Sequence, residues 1–314
     1  MNFPTTNPLW TGRTPGRRLQ EADAILMVDV DVPYVPLQGK PSPDARLLWI
    51  DRDPVKASIP LFTFPAHIRL HADSAKALPT LKQAIEGNMS NEDRQRLRQR
   101  RQQVAAASTE RRAGLVATAK RLSSQTPIAP AWMMYCLDQV LGQDAIVLDE
   151  TVTNAPIVAD YLTRTQPGTL LSQGGSSLGW ALGASVGVKL AAPERTVVAL
   201  VGDGAFIFGC PTASLWVAKS ARTPFLTVIF NNQMYYAAKR SWQVAYPEGY
   251  GQQTDRYLGT QLAPCPDYAL LAQACHAHGE RVDHPQALTG ALEGALRAVQ
   301  DGTAAVVDVR LQRP

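Results

Sequence analysis

Residues 201–236 read VGDGAFIFGCPTASLWVAKSARTPFLTVIFNNQMYY, and the two apolar segments in this stretch each end in polar residues. The first segment ends in the triplet GDG (202–204) and the second in the pair NN (231–232), with 26 residues between them. Each feature alone is a common turn sequence, because Gly, Asp and Asn tolerate the backbone angles of tight turns. Their joint occurrence at the ends of two successive strand-like segments favours one shared site.

The segment 126–314 predicts a doubly wound parallel sheet, because strand-like apolar runs alternate strictly with helical runs. PAWMMYCLDQVLG opens the series, YALLAQACHAHG (268–279) is its next-to-last helix, and AAVVDVRL is its last strand. Ligands of such sheets bind beyond the carboxyl ends of the strands, where neighbouring loops converge. GDG and NN both follow strands, so the sequence predicts a binding site there.

Residues 1–88 predict part of a second, Rossmann-like α/β domain. ADAILMVDVD and ARLLWIDRD are apolar runs that end in acids, and IRLHAD offers a third short strand before a helix. Residues 89–125 follow as a charged helical linker, in which basic residues alternate with acids and Gln at helical spacing. A nucleic-acid-binding arm is the alternative interpretation. We favour a solvent-exposed linker helix and expect no nucleic-acid partner.

Composition excludes several classes of protein. The chain has 314 residues, is 45% hydrophobic and 18% charged, and carries a formal net charge of +4, which is typical of a globular protein. No apolar run approaches the roughly 20 residues of a membrane span, and MNFPTTNPLW lacks the order of a signal peptide. The cysteines form no CxxC pair, which favours a reduced, cytoplasmic protein. They are Cys136, Cys210, Cys265 and Cys275.

Asp203 and Asn232 present oxygen ligands at the ends of what we expect to be neighbouring strands. Mg²⁺ prefers octahedral oxygen coordination, commonly by one or two carboxylates together with the phosphates of a bound molecule. Gly202 and Gly204 let the backbone approach a phosphate closely. The sequence has no GxxxxGK[ST] motif, which argues against a P-loop. The pattern therefore predicts a Mg²⁺ ion that bridges a diphosphate to one Asp and one Asn.

GDG, the 26-residue interval and NN together resemble the cofactor motif of the thiamine diphosphate enzymes. GGSSLGWALGASVGVKLAAPERTVVALVGDGAF (174–206) is similar to the pyrophosphate-binding domain of the acetolactate synthase, benzoylformate decarboxylase and benzaldehyde lyase superfamily. LQEADAILMVDVDVPYVP (19–36) and LLWIDRDPVKA (47–57) resemble the second half of that superfamily's central domain. The resemblance implies a thiamine diphosphate- and Mg²⁺-dependent lyase or carboligase that acts on a 2-oxo acid or a 2-hydroxy ketone.

The resemblance also implies roles for particular residues. Mg²⁺ is held by the Asp203 carboxylate, the Asn232 side chain and the Met234 carbonyl. Leu178 matches the apolar residue that keeps the cofactor bent, with a plain core position as the alternative, and the Ser176 carbonyl accepts from the cofactor's amino group. The other cofactor contacts that the resemblance implies are Glu150, Thr151, Val152, Thr153, Gly202, Gly204, Ala205 and Tyr235.

The side chains that follow the Mg²⁺ loop are candidates for the substrate pocket. Tyr236, Lys239 and Trp242 belong to this set, together with Tyr235. An amphipathic helix with an exposed Lys239 and packed aromatic rings is an equally good interpretation. Ala238 occupies the position where pyruvate decarboxylases carry a glutamate, so we do not expect that activity.

The resemblance leaves out the pyrimidine-binding domain, which in the superfamily supplies the glutamate that activates the cofactor. No catalytic residue is therefore assigned in this chain. We expect a partner chain to supply that domain, and the sequence does not separate one subunit of a split enzyme from a fragment; the alternative function is a non-catalytic fragment or assembly subunit. We expect an oligomer. FAD is not expected, because the flavin-binding half of the central domain is missing, although Asp51 and Asp53 end a strand where a ribose could bind.

Overall fold

The computed structural model of the protein describes residues 3–12, 16, 18–36, 39–60, 64–175 and 177–313. The chain divides into two compact units. The larger comprises Met1–Trp10 with Thr109–Pro314, and the smaller comprises Thr11–Ser108. Among the described residues, no helix combines the length and the apolar character needed to cross a bilayer.

The smaller unit contains a parallel sheet of three short strands in the order β1-β2-β3. Its elements in chain order are α1 (Arg18–Glu21), β1 (Ala24–Val28), β2 (Arg46–Asp51), β3 (Ile68–His71) and α2 (Ser74–Asn88). Buried Met27, Leu47 and Trp49 form its core. The Asp73 side chain caps α2 by accepting a hydrogen bond from the backbone N–H of Ala75 at 2.9 Å.

The acid that ends β2 is engaged within this unit. Asp51 is 5% exposed, and its carboxylate accepts hydrogen bonds from the Lys56 ammonium at 2.7 Å and from the Asp53 N–H at 2.9 Å. Lys56 also pairs with Asp31 at 2.9 Å. Burial acts to raise the pKa of Asp51, but these hydrogen bonds and the Lys56 charge outweigh it and lower the pKa. The carboxylate considered above for a ribose is therefore already paired.

A 31-residue helix, α3 (Asn91–Arg121), contains the boundary between the two units. Ser90 and Asp93 begin it with a reciprocal cap: the Ser90 hydroxyl accepts from the Asp93 N–H at 3.1 Å, and the Asp93 carboxylate accepts from the Ser90 N–H at 3.0 Å. Its last turns belong to the larger unit, where Tyr161 donates to the Leu115 carbonyl at 3.0 Å. The helix predicted for the charged stretch is present.

The larger unit is built on a parallel sheet, which in the described part of the chain has six strands in the order β5-β4-β6-β7-β9-β8. This sheet, with helices on both faces, confirms the predicted doubly wound α/β fold. The strands are β4 (Ile146–Glu150), β5 (Leu170–Ser172), β6 (Val197–Gly202), β7 (Leu226–Asn231), β8 (His278–Val282) and β9 (Ala305–Arg310).

Helices cover both faces of this sheet. After α3, the described part of this unit contains α4 (Pro130–Val140), α5 (Ala155–Tyr161), α6 (Trp180–Ala191), α7 (Asp203–Phe208), α8 (Pro211–Ser220), α9 (Tyr236–Ala245), α10 (Tyr250–Thr254), α11 (Tyr268–Ala274) and α12 (Leu288–Gln300), of which α9 and α10 bury no residue. Successive side chains of a strand point to opposite faces. Val198 and Leu200 of β6 accordingly pack with α4, α5 and α12, whereas Val197, Ala199 and Val201 pack with α6, α8 and α11.

The helix predicted over 268–279 is wrong in its second half. α11 ends at Ala274, and β8 pairs with β9 at one edge of the sheet. His276 has a φ of 61°, which no α-helix accommodates. The sequence of β8, HGERV, is polar because the strand lies at an edge, so it lacks the apolar run that identifies the inner strands.

Candidate functional site

The GDG triplet and the NN pair lie at adjacent strand ends. β6 and β7 pair in parallel, with Gly202 opposite Phe230. Asp203 follows β6 as the first residue of α7, and Asn232 follows the last residue of β7. The loops that carry them therefore leave the same edge of the sheet, side by side.

Asp203 is an almost fully buried acid with one unpaired oxygen. The residue is 2% exposed, its Oδ1 accepts from the Gly204 N–H at 2.9 Å, and its Oδ2 has no hydrogen-bond partner among the described residues. Burial raises the pKa of Asp203 to about 6, against the opposing effect of the N–H groups of Gly204, Gln233 and Met234; the nearby Asp308 charge adds to the rise. A buried carboxylate oxygen without a donor is energetically costly, and a cation would satisfy it.

The loop that follows β7 is folded back on itself. Asn232 is 5% exposed, and its Oδ1 accepts from the Met234 N–H at 3.0 Å. Gln233 between them has a φ of 60°, a left-handed conformation that is uncommon outside glycine. Met234 forms an antiparallel bridge with Gln261. The two ends of the segment 233–262, which contains α9 and α10, are therefore hydrogen-bonded to each other. The N–H groups of Gln233 and Met234 face the Asp203 carboxylate.

The two glycines of GDG differ in their surroundings. A Cβ built on Gly202 would meet nothing within 4 Å, so the backbone there borders open space. A Cβ on Gly204 would overlap the ring of Tyr235, which lies directly against the glycine backbone. The next residue, Ala205, is 4% exposed and packs in the core. Gly202 thus offers an open backbone surface, and Gly204 is covered by an aromatic ring.

Glu150, at the end of β4, caps α6. Its carboxylate, in a residue 3% exposed, accepts from three consecutive backbone N–H groups: Gly179 at 2.5 Å, Trp180 at 3.1 Å and Ala181 at 2.7 Å. These are donors that a helix cannot satisfy internally at its start, and a negative charge there complements the helix dipole. The Glu150 side chain therefore binds the protein's own backbone.

The residues after Glu150 form a strained turn. Thr151 is buried, and its N–H and hydroxyl both donate to the Asp149 carboxylate, at 3.0 and 2.7 Å. Val152 is 49% exposed and has a φ of 52°, an outlier for a β-branched residue. Thr153 is half-buried within the 3₁₀ turn Val152–Asn154. Strain of this kind clusters at functional sites, because surrounding contacts must hold it.

Leu178 is half-buried and packs against the core formed with α6, α8 and α11. It directly precedes Gly179, so the Glu150 cap fixes its backbone position. Ser176 lies outside the described residues. Gly179 has a φ of 90°, and a Cβ there would come within 2.9 Å of the Gly209 backbone. The β5–α6 loop is thus held against both Glu150 and the junction between α7 and α8.

The candidate substrate side chains lie on α9. Lys239 forms an ion pair with Asp255 at 2.8 Å, and its ammonium lies 5.0 Å from the centroid of the Tyr257 ring. Trp242 is 54% exposed and its ring lies 5.4 Å from that of Tyr246. Tyr236 and Ala238 occupy the first turn, half-buried and exposed respectively. Lys239 therefore ties α9 to the segment that follows α10.

Sequence reasoning missed a buried polar contact directly behind the loop. Asn231 and Asp308 are each 2% exposed, and the Asn231 amide donates to the Asp308 carboxylate at 2.8 Å. Burial raises the pKa of Asp308 to about 6, although Asn231, Arg281 and Arg310 oppose the rise. The signal was the single acid in AAVVDVRL, since an acid inside an otherwise apolar buried strand needs a partner.

The described residues contain no group of three or more His, Cys, Asp or Glu side chains arranged for a metal ion. A Mg²⁺ site does not require one, because Mg²⁺ takes few protein ligands and completes its octahedron with water and phosphate oxygens. The unpaired Asp203 oxygen, the Asn232 amide and the Met234 carbonyl are the oxygen groups predicted above as ligands, and all three belong to the loops at this edge of the sheet.

Comparison with known proteins identifies relatives of this chain. Residues 151–309 match the family described as "Thiamine pyrophosphate enzyme, C-terminal TPP binding domain". The acetolactate synthase isozyme 3 large subunit of Escherichia coli (strain K12) is 26% identical over 86% of this chain and 44% of its own length. Sulfoacetaldehyde acetyltransferase of Roseovarius nubinhibens is 24% identical over 99% of this chain and 54% of its own.

Solved structures agree in fold. The thiamine diphosphate-dependent 4-hydroxybenzoylformate decarboxylase of Rhodococcus jostii RHA1 superposes with a TM-score of 0.74 at 21% identity, over 99% of this chain and 54% of that chain. The chain thus spans about half the length of the relatives it matches.

Proposed function

The chain belongs to the thiamine pyrophosphate enzyme family, and on that premise we propose that it binds thiamine diphosphate and Mg²⁺ at the carboxyl ends of β6 and β7. We propose further that it forms part of a lyase or transferase that cleaves or joins C–C bonds of a 2-oxo acid or 2-hydroxy ketone. The acetolactate synthase, acetyltransferase and decarboxylase relatives support this class of reaction.

One observation carries the proposal: the buried Asp203 Oδ2 has no partner among the described residues, and the carboxylate faces the Asn232–Met234 loop. This oxygen, the Asn232 side chain and the Met234 carbonyl would coordinate Mg²⁺. Met234 fits the role of a main-chain ligand, because the bridge to Gln261 fixes its backbone. The residues present therefore fit the ion.

The diphosphate would lie against the open backbone of Gly202 and the turn Thr151–Thr153, with Leu178 beside it. Because Glu150 is committed to α6 and the Thr151 hydroxyl to Asp149, the Thr153 hydroxyl and the backbone of Val152 and Thr153 would contact the phosphates. When bound, thiamine diphosphate supplies the electron sink for chemistry at a carbonyl carbon. The chain's part is to hold and orient the cofactor.

We propose that the acid that transfers a proton to or from the cofactor lies outside these 314 residues. The acid at the end of β4 is hydrogen-bonded to three N–H groups of α6, and Asp203 is the proposed metal ligand. A pyrimidine-binding domain would supply the acid, from a partner chain or from sequence beyond these residues. A non-catalytic assembly subunit is the alternative, and the second experiment below separates the two.

The first experiment tests the metal bridge. Calorimetric titration of thiamine diphosphate into the protein should show binding with Mg²⁺ and little or none with EDTA, because the Asp203 carboxylate alone repels a diphosphate. Asp203→Ala should weaken the Mg²⁺-dependent binding at least about tenfold. Asp138→Ala is the matched control, since Asp138 accepts from the Thr163 N–H at 2.6 Å away from the proposed ligands. Equal affinity with and without EDTA would overturn the proposal.

The second experiment tests the missing acid. Exchange of the cofactor's C2 proton into deuterated water, followed by NMR, should run near the free-cofactor rate on this chain alone. Addition of a pyrimidine-domain partner should accelerate it by orders of magnitude, since acid–base catalysis and positioning contribute roughly 10²–10⁴ or more each. Fast exchange on the chain alone would locate the acid within these 314 residues. No acceleration with any partner would favour the assembly subunit.

A further inference from the structure

The two asparagines of NN have different partners. Both ends of the Asn231 side chain bind β9: its amide donates to the Asp308 carboxylate at 2.8 Å, and its Oδ1 accepts from the Arg310 guanidinium at 3.2 Å. Asn232 has neither contact and accepts instead from the Met234 N–H within its own loop. The first asparagine is thus an anchor, and the second belongs to the loop.

Strand register explains why these groups meet. β7 and β9 run in parallel with Ile229 opposite Asp308 and Asn231 opposite Arg310. The Leu311 N–H continues this pairing and donates to the Asn231 carbonyl at 2.9 Å. The last residue of β7 is therefore held through its backbone and both side-chain groups, immediately before the chain turns into the loop.

The loop needs such support. Gln233 holds a φ of 60°, and a non-glycine residue persists in that region only when surrounding contacts impose it. On the far side the support is the bridge between Met234 and Gln261. Before Gln233 in the chain, the support is Asn231, which is held by β9. An aliphatic residue at position 308 would leave the buried Asn231 amide without its acceptor.

We propose that Asp308 is a positioning residue for the metal site: through Asn231 it fixes the loop that presents Asn232 and Met234. The inference rests on the proposed function for the identity of the metal. Asp308 does not itself reach the ion, because its strand position lies opposite Ile229, two residues before the end of β7, and its carboxylate is bonded to Asn231.

Hydrogen exchange in the metal-free protein tests the positioning step independently of cofactor binding. Asp308→Ala should speed exchange in peptides that cover 232–236 roughly tenfold, because the Met234 N–H loses its fixed acceptor geometry. Peptides that cover 226–230 should change much less. Asp138→Ala, which removes an aspartate acceptor elsewhere in the unit, should leave 232–236 unchanged. Unchanged exchange at 232–236 in Asp308→Ala would overturn the inference.

Metal affinity tests the consequence. With thiamine diphosphate saturating, Asp308→Ala should raise the apparent dissociation constant for Mg²⁺ about tenfold, and saturating Mg²⁺ should restore the wild-type affinity for thiamine diphosphate. Asn231→Ala should have the same effect, and the double variant should be no worse than either single one. Additive losses, or a loss of cofactor affinity that Mg²⁺ does not restore, would indicate a general structural role and overturn the inference.

Two further variants separate loss of the hydrogen bond to Asn231 from a failure to fold. Asp308→Asn retains the acceptor oxygen and should bind Mg²⁺ within about threefold of wild type. If Asp308→Ala does not fold, Arg310→Ala removes the 3.2 Å contact and should shift Mg²⁺ affinity and exchange at 232–236 in the same direction. No shift in that variant counts against the inference. A wild-type protein that binds no cofactor refutes the proposed function, whereas the exchange result still decides the role of Asp308.

Discussion

Replacement of Glu150 by Ala should destabilise the larger unit more than the loss of an ordinary helix cap. The Glu150 carboxylate satisfies three buried or half-buried backbone donors at the start of α6, at 2.5, 3.1 and 2.7 Å. A hydrogen bond to a charged group contributes about 1.5–3 kcal/mol, so three give a simple sum of at least about 4.5 kcal/mol. Water will hydrate part of the vacated space, and we expect a net loss of about 3–5 kcal/mol.

Urea titration followed by circular dichroism measures the loss, and hydrogen exchange at residues 179–181 locates it. Asp267→Ala is a matched control, because the Asp267 side chain caps α11 through a single bond from the Leu270 N–H at 2.9 Å; about 1 kcal/mol is expected there. Glu150→Gln keeps one acceptor oxygen and should fall between the two. A loss below about 1 kcal/mol in Glu150→Ala, with exchange at 179–181 unchanged, would refute the reasoning.

Gly179→Ala should cost about 2–4 kcal/mol in urea titration, since φ is 90° and the new Cβ would meet the Gly209 backbone at 2.9 Å; a neutral result would contradict the observed packing. Gly204→Ala should destabilise by about 1–3 kcal/mol, and Tyr235→Ala in the same protein should recover part of this because the overlapping ring is gone; no recovery would mean that the ring is not the obstacle. Burial raises the pKa of Asp308 from an ordinary 3.8 to about 6, so the folded state favours the protonated acid and the associated stability is lost as the pH rises through 6. The stability of Asp308→Asn relative to wild type should therefore rise by about 2.5 kcal/mol between pH 4 and pH 8, and a pH-independent difference would contradict the raised pKa.

The sequence predicted the fold where the pattern was apolar and local. The buried strands of the larger sheet are runs such as VVALVG and LTVIFN, which have few alternatives. The sequence did not predict β8, because an edge strand needs no apolar run and its residues HGERV continue the helical pattern of α11. Strand ends followed by GDG and NN placed the candidate site at one edge of the sheet, and the adjacency of β6 and β7 agrees with that placement.

The partners of individual polar groups could not be predicted, because they lie far away in sequence. The sequence places Glu150 in a phosphate-binding loop, but its carboxylate accepts hydrogen bonds from N–H groups 29 to 31 residues later in the chain. Asn231 and Asp308 are 77 residues apart. The sequence is compatible with Lys239 as a substrate contact or as an exposed side chain, and the structure pairs it with Asp255, 16 residues on. The roles proposed for Asp203, Asn232 and Met234 stay predictions until cofactor binding is measured.

The two strands that border the larger sheet are poor templates for further strands. β5 has only three residues, and β8 carries Glu280 and Arg281 within a five-residue strand. Open strand edges recruit other chains into aggregates unless short length or charge discourages pairing. Lateral growth of the folded sheet is therefore disfavoured, because neither border offers a long apolar strand for another chain to pair with. Folded chains would therefore associate through their helices and loops rather than by extension of the sheet.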